Sequence, residues 1–121
     1  NKTMPRPRKF RSICCSPEAR VFGPLGQRAM QNEALIMTLD EFETLRLIDV
    51  EHKTQEECAE SMNVARATVQ KIYEDARHKV ALTLVQGLTL KIEGGDVEYL
   101  SDTEREIRGC QRHRHGGMGN A

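Results

Sequence analysis

The chain has 121 residues, of which 38% are hydrophobic and 30% charged, and its 18 basic residues balance 18 acidic ones. This length suits a single domain with a modest core. No apolar run approaches the roughly 18 residues of a membrane span, and the sequence contains no phosphate-binding glycine loop, nucleophile elbow or HExxH motif. We therefore expect a cytoplasmic binding protein with no membrane partner, and not an enzyme.

Charge is distributed unevenly along the chain. Residues 1–12 contain five basic residues and no acid. Residues 38–63 contain eight acids and two basic residues, whereas residues 64–91 contain five basic residues and two acids. A basic arm and a basic helix separated by acidic helices can present a positive face to DNA. The formal net charge of zero therefore does not exclude a nucleic-acid partner.

Residues 1–34 predict an extended basic arm with loops. Four prolines interrupt any helix in this segment, and a short strand is predicted over residues 20–22. Close to the start, prolines alternate with basic side chains that are candidates for DNA contact, at Arg6, Arg8 and Lys9. Such an arm either follows a narrow minor groove or is a disordered tail that adds only counterion-release affinity.

Residues 35–87 predict a domain of three core helices. Apolar residues recur at steps of three and four over residues 35–48, which is typical of an amphipathic helix. Thr38 with Glu41 matches a capping box, in which each side chain accepts a hydrogen bond from the other residue's backbone N–H. The first helix is predicted to start there and to end near Val50.

A tight turn is predicted between the second and third helices. Thr54 with Glu57 matches another capping box, and the second helix stops at Asn63, a residue type that tolerates the left-handed conformation. The third helix is predicted over residues 65–86 and closes at Gly87, a good C-terminal cap.

Residues 88–100 predict a β-hairpin, because apolar and polar residues alternate there. A two-residue glycine turn at positions 94–95 would set Ile92 beside Val97. The polar, glycine-rich tail at residues 101–121 is expected to be flexible unless it binds a metal.

Small or apolar residues and one turn residue occupy the positions that a helix-turn-helix requires between residues 55 and 74. They are Cys58, Ala59, Met62, Asn63, Val64, Val69 and Ile72. The residues left exposed at the start of the second of these helices are Arg66, Ala67, Gln70 and Lys71, and together with Thr68 they are expected to contact DNA. Arg and Gln form paired hydrogen bonds with base edges, and Thr and Lys suit phosphate oxygens. The simpler alternative is three ordinary helices with a solvated basic face.

The chain resembles a family of small, largely uncharacterised bacterial and archaeal proteins predicted to bind DNA, through the blocks MPRPRKFR, FGPLG, LDEFETLRL and KIEGG. Residues 39–84 also resemble the helix-turn-helix of region four of bacterial sigma factors, with its leading helix and long trailing helix. These resemblances imply a DNA-binding regulatory protein. The chain departs from common helix-turn-helix choices with Asn63 where Gly is usual, and with Ala65 where a capping Ser is frequent.

Four residues suggest a metal site: Cys14, Cys15, Cys110 and His113. The spacing of Cys110 and His113 is acceptable for zinc, and the two N-terminal thiols complete a tetrahedral set if the arm and the tail meet. The alternatives are small apolar cysteines packed under the arm and a tail whose histidines are solvated.

The sequence thus predicts a mainly α fold, built on a sigma region-four-like helix-turn-helix with an extended basic N-terminal arm and a C-terminal β-hairpin. We expect a transcriptional regulator that inserts the helix over residues 65–86 into the major groove of double-stranded DNA. We also expect a homodimer, with the hairpin or the third helix at the interface. The alternative is a protein-interaction module that engages transcription machinery through the acidic helices between residues 40 and 60, with or without structural zinc.

Overall fold

A computed structural model of the protein describes residues 10–14, 16–26 and 34–103. Its elements, in chain order, are β1 (Arg11–Ile13), β2 (Val21–Phe22), β3 (Ala34–Met37), α1 (Leu39–Leu45), α2 (Gln55–Met62), α3 (Arg66–Gln86), β4 (Thr89–Ile92) and β5 (Val97–Tyr99). A π-helical segment (Arg46–Val50) continues α1 without a break. Within these ranges, no helix combines the length and the apolar character that crossing a membrane requires.

The first two helices begin at the capping boxes that the sequence predicts. The hydroxyl of Thr38 accepts a hydrogen bond from the N–H of Glu41, whose carboxylate accepts one from the N–H of Thr38. Thr54 and Glu57 make the same reciprocal pair at the start of α2. Each box satisfies two backbone donors that a helix leaves unpaired at its N-terminus. Both predicted starts are confirmed.

The predicted β-hairpin is wrong, and the fold is mixed α/β instead of mainly α. Strand β4 lies between β2, to which it is antiparallel, and β3, to which it is parallel. Strand β5 pairs in parallel with β1, so that Val97 lies opposite Arg11 and not beside Ile92. The backbone carbonyl of Gly94 accepts a hydrogen bond from the N–H of Leu39 at 2.9 Å. The glycine segment is therefore bound to the start of α1, and the two strands separate.

Helix α3 contributes to two hydrophobic clusters. One joins the strands to α1 and α3, and consists of Ile13, Met37, Leu39, Ala76, Leu90 and Ile92. The other joins the helices to the π-helical segment, and consists of Leu47, Cys58, Ala59, Met62 and Val69. Because Val69 and Ala76 lie two turns apart on one helix, α3 fixes the strands relative to the helices.

A buried ionic network connects α1 to the first strand. The carboxylate of Glu43 accepts two hydrogen bonds from the guanidinium of Arg46, at 3.0 and 2.8 Å. It also accepts one from the backbone N–H of Cys14 at 3.0 Å, and Arg46 pairs with Glu51 as well. Burial by itself lowers the pKa of Arg46, but the hydrogen bond and charge of Glu43, together with the charge of Glu51, raise it above its ordinary value.

The Glu43→Ala substitution should lower the free energy of unfolding by about 3–5 kcal/mol, because it leaves a buried guanidinium without its principal partner. Lys91→Ala is the control, since it removes an exposed ion pair with Glu93 and should change stability by at most about 0.5 kcal/mol. Chemical unfolding followed by circular dichroism measures both. Equal effects of the two substitutions would contradict a structural role for the Glu43 network.

We expect the protein to lose stability at alkaline pH because the thiol of Cys58 is buried. Burial, and then the nearby charge of Glu43, raise the pKa of this thiol from 9.0 to about 12. The unfolded thiol ionises first, so the free energy of unfolding should fall as the pH rises from about 9 towards 12. The measurement is a series of unfolding curves across this range for the unmodified protein and Cys58→Ala. The decline should be shallower in the variant, and parallel curves would contradict the assignment.

Candidate nucleic-acid interface

A left-handed turn at Asn63 sets the direction in which α3 leaves α2. This residue has φ 59° and ψ 48°, a conformation that Asn adopts more readily than most other residues. The N–H of Asn63 bonds to the carbonyl of Glu60 at 3.2 Å, and the N–H of Val64 bonds to that of Ala59 at 3.0 Å. Because these carbonyls belong to the last turn of α2, the turn is fixed by the helix that precedes it.

The start of α3 presents the five side chains that the sequence predicts for DNA contact. Arg66, Ala67, Gln70 and Lys71 are exposed, and Thr68 is half-buried. Val69 and Ile72 lie among them in sequence but point into the protein and are buried. The helical period thus separates residues that hold α3 in place from residues available to a partner.

The N-terminus of α3 has a positive electrostatic character that nothing in its first turn offsets. Ala65 occupies the N-cap position and provides no side-chain hydrogen bond, and the first turn contains no acidic residue. The free N–H groups and the helix dipole therefore favour an anion at this end. Lys71 adds positive charge, although its ammonium group lies 3.3 Å from the carboxylate of Asp75.

Further along α3, an aromatic and ionic cluster connects the helix to the π-helical segment. The hydroxyl of Tyr73 donates a hydrogen bond to the carboxylate of Asp49 at 2.7 Å, which raises the pKa of Tyr73 above its ordinary value. The guanidinium of Arg77 lies 5.3 Å from the centre of the Tyr73 ring and 4.0 Å from Asp49. Sequence reasoning missed this cluster because Asp49 and Tyr73 belong to different elements and share no local motif.

Several predicted site residues lie outside the described part of the chain. They are Arg6, Arg8 and Lys9 of the arm, and the candidate metal ligands Cys15, Cys110 and His113. The remaining candidate ligand, Cys14, is fully buried. The described residues contain no group of three or more His, Cys, Asp or Glu side chains that could hold a metal ion. A zinc site stays a prediction that requires residues of both termini.

The sequence places this chain in a known family. Residues 2–100 match the family described as protein of unknown function DUF134. The chain belongs to the DUF134 family. Its relatives include a UPF0251 protein of Desulfitobacterium hafniense strain Y51, which is 58% identical over 92% of this chain and 90% of its own length.

More distant members of the family differ in length. A UPF0251 protein of Thermoanaerobacter pseudethanolicus is 42% identical over 96% of this chain and 98% of its own length. A UPF0251 protein of Chlorobaculum tepidum is 46% identical over 93% of this chain, but the match covers only 56% of that protein. No solved structure matches the chain.

A capping residue at position 65 should stabilise the DUF134 chain. Ala65 already has the extended conformation of an N-cap residue, with φ −73° and ψ 152°, so Ala65→Ser should raise the free energy of unfolding by about 1 kcal/mol. Ala67→Ser introduces the same hydroxyl inside the first turn, where it should lower stability by about 0.5 kcal/mol through helix propensity. Thermal unfolding distinguishes the two, and a destabilising Ala65→Ser would show that the helix end already has another partner.

Proposed function

We propose that this DUF134 protein binds double-stranded DNA in the cytoplasm as a transcriptional regulator, with α2 and α3 forming a helix-turn-helix. One observation carries the proposal: a basic, exposed and uncapped N-terminus of α3, set at a fixed angle by the turn at Asn63. The apolar contact between the two helices supports it, because Met62 of α2 and Val69 of α3 are both fully buried in one cluster.

Each side chain at this end of α3 has a chemistry that suits a different part of DNA. Arg66 and Gln70 lie one helical turn apart, and their forked donors and acceptors match the major-groove edges of guanine and adenine. Lys71, Thr68 and the free N–H groups of the first turn suit phosphate oxygens. A helix end that offers both kinds of contact fits a recognition helix that enters the major groove by its N-terminus.

The arrangement before the turn supports the sigma region-four comparison. Leu47 of the π-helical segment packs in the same cluster as Cys58 and Ala59 of α2, so a leading helix rests against the two helices of the motif. The long α3 then continues well beyond the motif, as the resemblance implies. The basic arm at residues 1–9 would add minor-groove or phosphate contacts beside the recognition helix.

DNA binding is tested by fluorescence anisotropy with labelled mixed-sequence duplex across a salt series. Log affinity should fall less steeply with log salt for Lys71→Ala, with a slope smaller in magnitude by about 1, because one phosphate contact is lost. On a duplex that carries a preferred site selected from such a mixture, the double variant Arg66→Ala/Lys71→Ala should lose a further ~1–3 kcal/mol of binding free energy, because the proposal assigns a base contact to Arg66.

Lys91→Ala provides a matched control. Lys71 and Lys91 are both exposed. The ammonium group of Lys71 lies 3.3 Å from the carboxylate of Asp75, and that of Lys91 lies 3.3 Å from the carboxylate of Glu93, but Lys91 belongs to β4. Its substitution should leave the affinity and the salt slope unchanged. Equal losses of DNA affinity for the two lysine substitutions would indicate that DNA is attracted by overall charge and not by the N-terminus of α3. No binding at low salt would refute the proposal and direct the search to protein partners of α2, where Glu56 and Glu60 are exposed.

A further inference from the structure

The C-terminal half of α3 borders an apolar groove. One hollow of about 490 Å³ lies between this half of the helix and the segment formed by α1 and its π-helical continuation. A second hollow of about 300 Å³ continues it towards β2 and β4. Both are lined by Phe42, Leu45, Val80 and Leu84, so the two form one trough along the molecule.

Large apolar side chains at the edge of the trough are exposed to solvent. Leu84 of α3, which lines both hollows, is 77% exposed, and Val50, at the end of the π-helical segment, is 69% exposed. Burying one such side chain contributes about 1.5–3 kcal/mol. Contiguous apolar patches of this kind mark interaction sites on soluble proteins.

We infer that a second copy of this chain covers the groove, related to the first by a two-fold axis. In a two-fold interface the same patch meets itself, so it must contain both a hollow and a ridge. Phe42, Leu45 and Val80 line the hollow, and the exposed side chains of Leu84 and Val50 form the ridge.

The charges around the groove also favour a second copy. Its lining includes Asp49 and Arg77, one acid and one base within 4.0 Å of each other, while Arg46 is occupied by Glu43 and Glu51. A patch balanced in this way can meet its own copy without like-charge repulsion, and the formal net charge of zero removes long-range repulsion between two chains. A strongly charged partner would gain no electrostatic attraction here.

The position of the groove leaves the proposed DNA-contacting end of α3 free. Of the α3 residues that line the groove, Arg77 is the nearest to Arg66, which it follows by 11 residues, or about 16 Å along a helix. If the proposed function holds, a dimer joined at the groove would present two recognition ends to two half-sites, as regulators of palindromic sites do. Self-association itself does not depend on DNA binding.

The test is the molar mass of the full chain by light scattering coupled to size-exclusion chromatography, at concentrations up to about 100 µM. The unmodified protein should approach twice the 13.7 kDa of one chain. Leu84→Glu should weaken self-association at least about 100-fold, because each copy would bury an unpaired carboxylate. Its fold should persist, since the side chain is exposed, and circular dichroism checks this.

Gln86→Glu is the control, because it adds the same charge to the same last turn of α3 outside the groove lining. This variant should remain a dimer. A monomeric unmodified protein at the highest concentration overturns the inference, as would a Leu84→Glu variant that associates as strongly as Gln86→Glu.

DNA anisotropy on the same samples separates the two proposals. A dimer that binds no DNA refutes only the proposed function, and a monomer that binds DNA refutes only the dimer.

Discussion

The carboxylate of Glu43 connects parts of the chain that are distant in sequence, and the rest of the fold depends on this connection. It bonds the backbone of Cys14 beside β1 and the guanidinium of Arg46 at the start of the π-helical segment. Because a charge removed from water is tolerated only when it is paired and hydrogen-bonded, these groups have few alternative arrangements. The network therefore holds the first strand against α1, and α1 in turn supports α2 and α3.

Helix α3 has different surroundings at its two ends, and the two proposals use different ends. Its first turns pack Val69 against α2 and expose polar side chains, whereas its last turns expose Leu84 and Val85 beside an apolar groove. Its middle is buried at Ile72 and Ala76, which keeps the helix rigid between the two ends. If both proposals hold, this rigid helix would give DNA at one end a fixed position relative to a second copy at the other, as a two-fold DNA-binding protein requires.

The sequence by itself determined the local features of this protein. The capping boxes that begin with Thr38 and Thr54, the left-handed turn at Asn63 and the cap at Gly87 all depend on hydrogen bonds between residues at most five apart. The helical period likewise indicated that Arg66 and its neighbours are exposed, because burial of Val69 and Ile72 leaves the other side chains outside. Local geometry suffices for such features, whatever the rest of the chain does.

Only the tertiary structure decided which strands pair and where charges meet. The alternation in residues 88–100 indicated strands correctly, but β4 and β5 find partners that precede them by more than 50 residues in β1, β2 and β3. A glycine turn permits a hairpin without requiring one, and the hydrogen bond between Gly94 and Leu39 decides against it here. The apolar groove has the same origin, because it exists only where α1 and α3 come together, and no local pattern encodes the distance between two helices.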